Sequence, residues 1–218
     1  MRKLLNEWES RKLLKKYKIP VPEAKLARSS AEAVKFAEEI GYPVVMKVMS
    51  KDIIHKSDAN CVFLNITDKD CVSLFYEKII ENAKKYNPDA EIDGVLIEKQ
   101  VFGVEFFVGG KMDEIFGKAM IFGIGGVFAE LIKDVSARVV PLSANDCMCM
   151  LEDIKHKKIM EGFRHYPPVD KKSLADVLHK IAKMFERENI IEMDINPLIC
   201  FRDQCVAADS RILMEYED

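Results

Sequence analysis

Residues 43–49 read Pro43-Val44-Val45-Met46-Lys47-Val48-Met49, and nothing else in the chain limits its fold so strongly. A run this apolar leaves no strand face for water, so it predicts an internal strand covered on both sides. The chain must then supply neighbouring strands and helices to lie over them. Lys47 sits within that run. An unpaired buried ammonium is costly, so this lysine must snorkel to solvent, pair with a carboxylate or meet an anionic ligand such as a phosphate. The pattern leaves the structural and the ligand readings open.

Around this strand the other elements follow in mixed order. Leu4, Leu5, Trp8, Leu13, Leu14 and Tyr17 are spaced for a helix over 3–17, stopped by Pro20 and Pro22. A short strand at 24–27 leads to a helix capped by Ser29 or Ser30 and ended by Gly41. After a polar stretch from Ser50 to Asn60 come a strand at 61–67 and a helix from Asp68 or Asp70 to Tyr86. A second polar stretch, Pro88 to Asp93, marks a lobe boundary. Beyond it, strands are predicted at 94–99, 103–109 and 115–122, and helices at 143–161 (capped by Ser143) and 173–187. The chain returns to strands at 190–195, 197–201 and 205–209. Without regular β-α-β alternation, two α+β lobes fit better than one doubly wound sheet. The expected division is an N-terminal helix (1–22) packing on the C-terminal lobe, a small lobe (23–93) and a large lobe (94–218).

With 33 basic and 36 acidic residues, the net charge of −3 disfavours nucleic acid as the main partner. Charges interrupt every apolar run at the N-terminus, so neither a signal peptide nor a membrane span is expected there. Cysteines 61, 71, 147, 149, 200 and 205 form no C-x-x-C pair, and reduced thiols in a cytoplasmic protein are the expectation.

Several residues carry chemistry. In Glu192-Met193-Asp194-Ile195-Asn196-Pro197, strand alternation puts Glu192, Asp194 and Asn196 on one face, a row of hard oxygen donors suited to Mg²⁺ or simply to water. Asp209, after Val206-Ala207-Ala208, offers another carboxylate. Gly123, Gly125 and Gly126 let backbone approach a ligand, or else form a hairpin turn; no G-K-[ST] follows, so this is not a P-loop. His55 lies in a polar loop, where an imidazole either is solvated or accepts a phosphoryl group. Glu98 and Glu105 lie near the lobe boundary, where a nucleotide between lobes would need a carboxylate for its ribose.

Five segments in one order carry a resemblance: residues 41–47, Asp52-Ile53-Ile54-His55-Lys56-Ser57-Asp58, residues 122–130, Lys133 to Leu142, and Asp194-Ile195-Asn196-Pro197-Leu198. Over nearly the whole chain they resemble the β subunit of ADP-forming acetyl-CoA synthetase, an ATP-grasp family related to succinyl-CoA synthetase β. The resemblance implies an ATP-grasp fold, an α+β (α/β) architecture of two lobes gripping Mg-nucleotide. It implies the reaction acyl-CoA + ADP + phosphate ⇌ acid + CoA + ATP, with a phosphoryl group passed through a histidine of a separate α subunit in an α₂β₂ assembly. It further implies that Lys47 contacts the α/β phosphates and that Glu98, Lys99 and Val101 read adenine. By the same likeness Glu105 holds the ribose, while Asn196 and Asp209, with Asp194 as a third candidate, ligate Mg²⁺. His55 matches a second relay histidine, and Arg138 and the 123–126 glycines would lie near the terminal phosphate.

One departure stands out. The family usually shows two glycines before the valine where this chain has Asn60 and Cys61 ahead of Val62. Glycines there let the flap amides approach phosphates, so the departure bears on flap geometry. It motivates a second reading, a nucleotide-binding regulatory module without turnover. A third is another ATP-grasp carboxylate ligase subunit with a different acid.

Overall fold

The computed structural model describes residues 1–126, 133–162 and 166–216. These form two compact units, residues 22–100 and residues 1–21 with 101–218.

The first unit is a four-stranded antiparallel sheet in which β5 (Gly94–Lys99) and β4 (Val62–Ile66) flank β3 (Val44–Met49), with β2 (Ala24–Ala27) outside β5. All six residues of β3 are buried. Val44, Met46 and Val48 share a core with Ala33 and Ala37 of α2 (Ser30–Ile40) and Val72 and Ile79 of α3 (Lys69–Tyr86). Ser29 caps α2 through the N–H of Glu32, and Asp68 caps α3 through that of Cys71. Gly41, at φ +82°, turns the chain out of α2. The boundary expected at residue 93 is displaced to Gln100. The strand at 94–99, expected to open the large lobe, lies between β2 and β3 and therefore belongs to the small sheet.

In the second unit the strand order is β1 (Arg2–Leu5), β11 (Ser210–Glu215), β9 (Ile190–Phe201), β6 (Val104–Asp113), β7 (Gly117–Ile124), β8 (Val135–Val139), with β10 (Gln204–Ala207) also paired to β9. The helix expected over 3–17 is replaced by two elements. Arg2–Leu5 pairs with β11, and Asn6 then opens α1 (Glu7–Lys16) by accepting from the N–H of Glu9, whose carboxylate accepts in turn from the N–H of Asn6. Buried side chains of α4 (Ala144–Asp153) and α5 (Lys171–Arg187), among them Met150, Leu151, Leu178 and Phe185, cover one face of the sheet at Phe106, Phe122, Met193 and Ile195.

The helix expected over 143–161 breaks after Asp153. The carboxylate of Asp134 accepts from the N–H of Lys155 (3.0 Å) and of His156 (2.7 Å), so those donors leave the helix and a 3-10 turn follows at Lys157–Glu161. The strands expected at 190–195 and 197–201 are one, β9, continuous through Asn196 and Pro197.

Strand register sorts side chains between the two faces of this sheet. Arg138, Met120, Gly110 and Met193 lie side by side on the helix-covered face. One residue along, Ala137, Ile121, Gly109, Asp194 and Arg211 form a row on the opposite face. The next row on that face is Val139, Ala119, Lys111, Glu192 and Leu213.

Candidate functional site

Lys47 lies in the interior of the small sheet at 6% exposure, and its Nζ donates to Oε1 of Glu98 at 3.2 Å. Glu98, at 2% exposure, comes from β5, the strand that pairs with β3. Two adjacent antiparallel strands thus bring together two residues that sequence reasoning assigned to phosphate and adenine. The Nζ of Lys99 is committed to the carbonyls of Gly41 (2.7 Å) and Tyr42 (2.9 Å), and its N–H donates to Glu23 (2.8 Å). Its side chain therefore fastens the end of α2 rather than remaining available to a ligand. Val101 is half-buried just beyond β5.

His55 is exposed at the head of a compact turn. Within it the N–H of Ala59 donates to His55 (3.1 Å), that of Asn60 to Ser57 (3.0 Å), and that of Cys61 to Lys56 (2.8 Å). Asn60 takes φ +52°, in the left-handed region that asparagine tolerates better than most residues, and Cys61 is fully buried. The two positions where the resemblance leads one to expect glycine are occupied without disrupting the turn.

On the open face of the large sheet, Glu192, Asp194 and Asn196 are exposed while Met193 and Ile195 are buried, as the alternation predicts. The loop between β10 and β11 delivers Asp209 beside them, where its carbonyl accepts from the N–H of Asn196 at 3.1 Å. Desolvation and the negative charge of Asp209 push the Asp194 carboxyl above its ordinary value; Glu192 adds to this and Arg211, directly across the ladder, opposes it. A cavity of about 250 Å³ on this face is lined by Leu4, Glu192, Asp194, Arg211 and Leu213. Among the described residues no three His, Cys, Asp or Glu side chains converge as a metal cluster. The donor set is two carboxylates and an amide, which suits Mg²⁺, an ion that takes few protein ligands and fills its octahedron with water and phosphate oxygens. The carboxyl of Asp194, held above its ordinary value by burial and by the charge of Asp209, is also a place where a cation is favourable.

Glu105 projects from the exposed side of β6, and its carbonyl accepts from the N–H of Gly125 at 2.8 Å. A Cβ on Gly125 would approach the β6 backbone at 3.0–3.1 Å, and one on Gly126, at φ +81°, would stand 3.2 Å from Oε2 of Glu105. Gly126 therefore leaves room for the Glu105 carboxylate, and Gly125 lets the chain pass close to the β6 backbone. The remainder of that motif, residues 127–130, lies outside the described residues.

Arg138 is not brought to the carboxylates. It lies on the helix-covered face, where its guanidinium donates to Asp153 (2.6 Å), Ser136 and the carbonyl of Ala137. Sequence reasoning also missed two buried charge groups. Glu7 and Arg11 are both buried and pair at 3.5 Å within α1, a link that their i,i+4 spacing announces. Asp134 also meets Nδ1 of His156 at 2.8 Å, a contact between residues too far apart in sequence for any local pattern to reveal.

A family model for the ATP-grasp domain matches residues 1–214. The acetate–CoA ligase [ADP-forming] II subunit beta of Pyrococcus furiosus is 44% identical over 214 residues, covering 96% of this chain and 91% of that protein. The acetate–CoA ligase [ADP-forming] II of Archaeoglobus fulgidus is 40% identical over 212 residues, 97% of this chain but only 30% of that longer one. Among solved structures, the dinucleotide forming acetyl-coenzyme A synthetase 1 of Candidatus Korarchaeum cryptofilum with coenzyme A, Ca-AMPCP and HgCl+ aligns at a TM-score of 0.92 and 41% identity, over 98% of this chain and 94% of that one. A complex of the same enzyme with coenzyme A and Mg-AMPPCP, its phosphohistidine segment pointing towards the nucleotide binding site, aligns at 0.84 and 37%, over 98% and 93%.

Proposed function

The chain belongs to the ATP-grasp family, as a homologue of ADP-forming acetate–CoA ligase β subunits, and from that premise we propose that it passes a phosphoryl group between ADP or ATP and a histidine carried by a partner subunit. Its enzyme class is that of an acid–thiol ligase. The observation that carries the reading is the grouping of Asp194, Asn196 and Asp209 on the open sheet face, in a chain homologous over nearly its full length to ADP-forming ligase β subunits.

In this reading Asp209, Asn196 and Asp194 would hold Mg²⁺, which would supply positive charge to neutralise the nucleotide's phosphates. Lys47 supplies a positive charge to the phosphates, with Glu98 keeping its ammonium in place until nucleotide arrives. Glu98 and the backbone from Lys99 to Val101 read adenine, and Glu105 accepts from the ribose hydroxyls beside Gly123, Gly125 and Gly126. His55 receives or guides the phosphoryl group. Arg138 we assign a positioning part, steadying β8 through Asp153 and Ser136. The chemistry then rests on placement and charge neutralisation rather than on a protein acid–base pair. The accommodated Asn60-Cys61 turn favours this reading over a module that has lost turnover.

The partner is a separate α subunit with CoA-binding and phosphohistidine parts, in an α₂β₂ enzyme of the cytoplasm. The decisive experiment is reconstitution. Purified chain with the α subunit of the same organism is expected to make ATP from acetyl-CoA, ADP and phosphate in a Mg²⁺-dependent way. Nucleotide binding without any turnover in that mixture would favour the regulatory module instead.

A further inference from the structure

Among the described residues, the outer margin of the large sheet carries a strip of exposed apolar side chains. At the β6–β7 tip Ile115 is 85% exposed and Phe116 66% exposed. The strip continues along the open face through Val139 and Ile121 to Val135, each 38–49% exposed, with exposed Ala137 between the two valines of β8. The tip is held rather than loose. Asp113 accepts from the N–H groups of Ile115 and Phe116, both at 2.9 Å, and Gly117 closes the turn at φ +74°. Among the described residues β8 pairs only with β7, so this margin is also a sheet edge. A pre-formed apolar prong beside an apolar strand face is what a protein interface uses for its anchor, and a contiguous patch of this kind is rarely left in water.

Resting on the function proposed above, we infer that this strip, from Ile115 and Phe116 across β8, docks the chain onto the subunit that carries the rest of the enzyme. The occupant follows from the sizes of the relatives. In the Archaeoglobus fulgidus enzyme the matched region is 30% of one continuous chain, whereas it is 91% of the Pyrococcus furiosus β subunit. In the Pyrococcus furiosus relative, named as a subunit, the domain must hold the remainder by a non-covalent surface, and this chain shares that domain at 44% identity. The helix-covered face cannot serve, because α4 and α5 already fill it. The open face near β9 carries Glu192, Asp194 and Arg211, so among the described residues of this sheet the apolar margin is the surface suited to a dry contact.

The test titrates the α subunit of the same organism into wild-type chain, an Ile115→Ser/Phe116→Ser double variant and Val139→Lys, followed by sedimentation velocity. Thermal shift with Mg-ATP serves as the control for fold and nucleotide site. Wild type is expected to form the complex, while both variants keep the thermal shift and bind the α subunit roughly 30-fold more weakly. Variants that bind as wild type does would overturn the surface while leaving the functional reading intact. A wild-type chain that shows the Mg-ATP shift yet never binds the α subunit overturns the β-subunit reading itself, and the docking surface with it. Self-association of wild type alone, abolished by the same variants, would assign the strip to a second copy and overturn the inference.

Discussion

Burial confines the Lys47 ammonium, and Glu98 at 3.2 Å is a carboxylate partner that helps make confinement tolerable. Breaking such a pair from one side leaves a buried charge short of its counter-ion, worth about 3–5 kcal/mol, whereas replacing both partners by neutral groups is often nearly free. Lys47→Met or Glu98→Gln alone is therefore expected to lower stability by about 3 kcal/mol, and the double variant by less than about 1 kcal/mol, in a urea-denaturation cycle. Additive losses would mean the two groups do not depend on each other. Asp194 obeys the opposite logic. Its folded pKa lies above the ordinary 3.8, so the stability it contributes is complete below that value and is lost as pH rises through the folded pKa. At neutral pH the ionised group repels Asp209, and a divalent cation reverses the sign. Asp194→Asn is expected to raise the melting temperature of the free chain by about 1–2 °C, a figure discounted for solvent screening, and to erase the part of nucleotide binding that needs Mg²⁺. A Mg²⁺-dependent thermal shift that survives the substitution would remove Asp194 from the site. The sequence exposed the anomaly of Lys47 and the alternation at 192–196, because both are local patterns. It hid the Lys47–Glu98 pairing, which depends on β5 lying next to β3.

At the scale of elements, the segment from α4 to α5 is organised by carboxylates. Burial alone would raise the Asp134 pKa, but the N–H groups of His156 and Lys155 and the His156 ring bring it below the ordinary value. Asp134→Ala strands two backbone donors and is expected to cost about 3 kcal/mol in urea denaturation, against less than about 1 kcal/mol for His156→Ala at the exposed end of the pair. Equal costs would show that the imidazole, not the backbone, is what Asp134 secures. Glu152, bridging Lys157 and Lys171 at 2.8 and 2.7 Å, is drawn down to about 2 by those two ammonium groups. Its folded value lies below its unfolded one, so its contribution is present above about pH 4.5 and disappears as pH falls toward 2. Glu152→Gln is expected to flatten the acid limb of a stability profile in that window, and an unaltered limb would mean the bridges carry nothing. This segment also shows where sequence reading stops. Ser143 announced the start of α4, yet the apolar spacing through 161 concealed the break, because the group that captures the N–H donors of Lys155 and His156 arrives from β8's leading edge. Likewise Leu4 and Leu5 fit a helical period as well as a strand, and only pairing with β11 decides between them.

For the whole molecule, two α+β units were legible because the order of strands and helices lacks the regular alternation of a doubly wound sheet, and ordered motifs pointed to the family. The boundary was read short, since polar residues 88–93 look like a linker while the next strand returns to the first sheet. Groups that bind nucleotide and a group that transfers phosphoryl separate in one measurement. A ligand that binds only the folded chain stabilises it by RT ln(1 + [L]/Kd), about 2.7 kcal/mol at a hundredfold excess over Kd, or roughly 5–10 °C for a chain of this length. Mg-ATP at that excess is expected to give this shift with wild type, little of it with Lys47→Met/Glu98→Gln, and all of it with His55→Ala, because exposed His55 stands in a turn whose backbone bonds do not use its ring. Phosphoryl transfer in the reconstituted enzyme should show a different order. His55→Ala is expected to lose on the order of 10²–10⁴-fold, the range a positioned histidine contributes to such a step. If His55→Ala instead loses the thermal shift and keeps its turnover at saturating nucleotide, the histidine is a nucleotide-binding group and the relay must run without it.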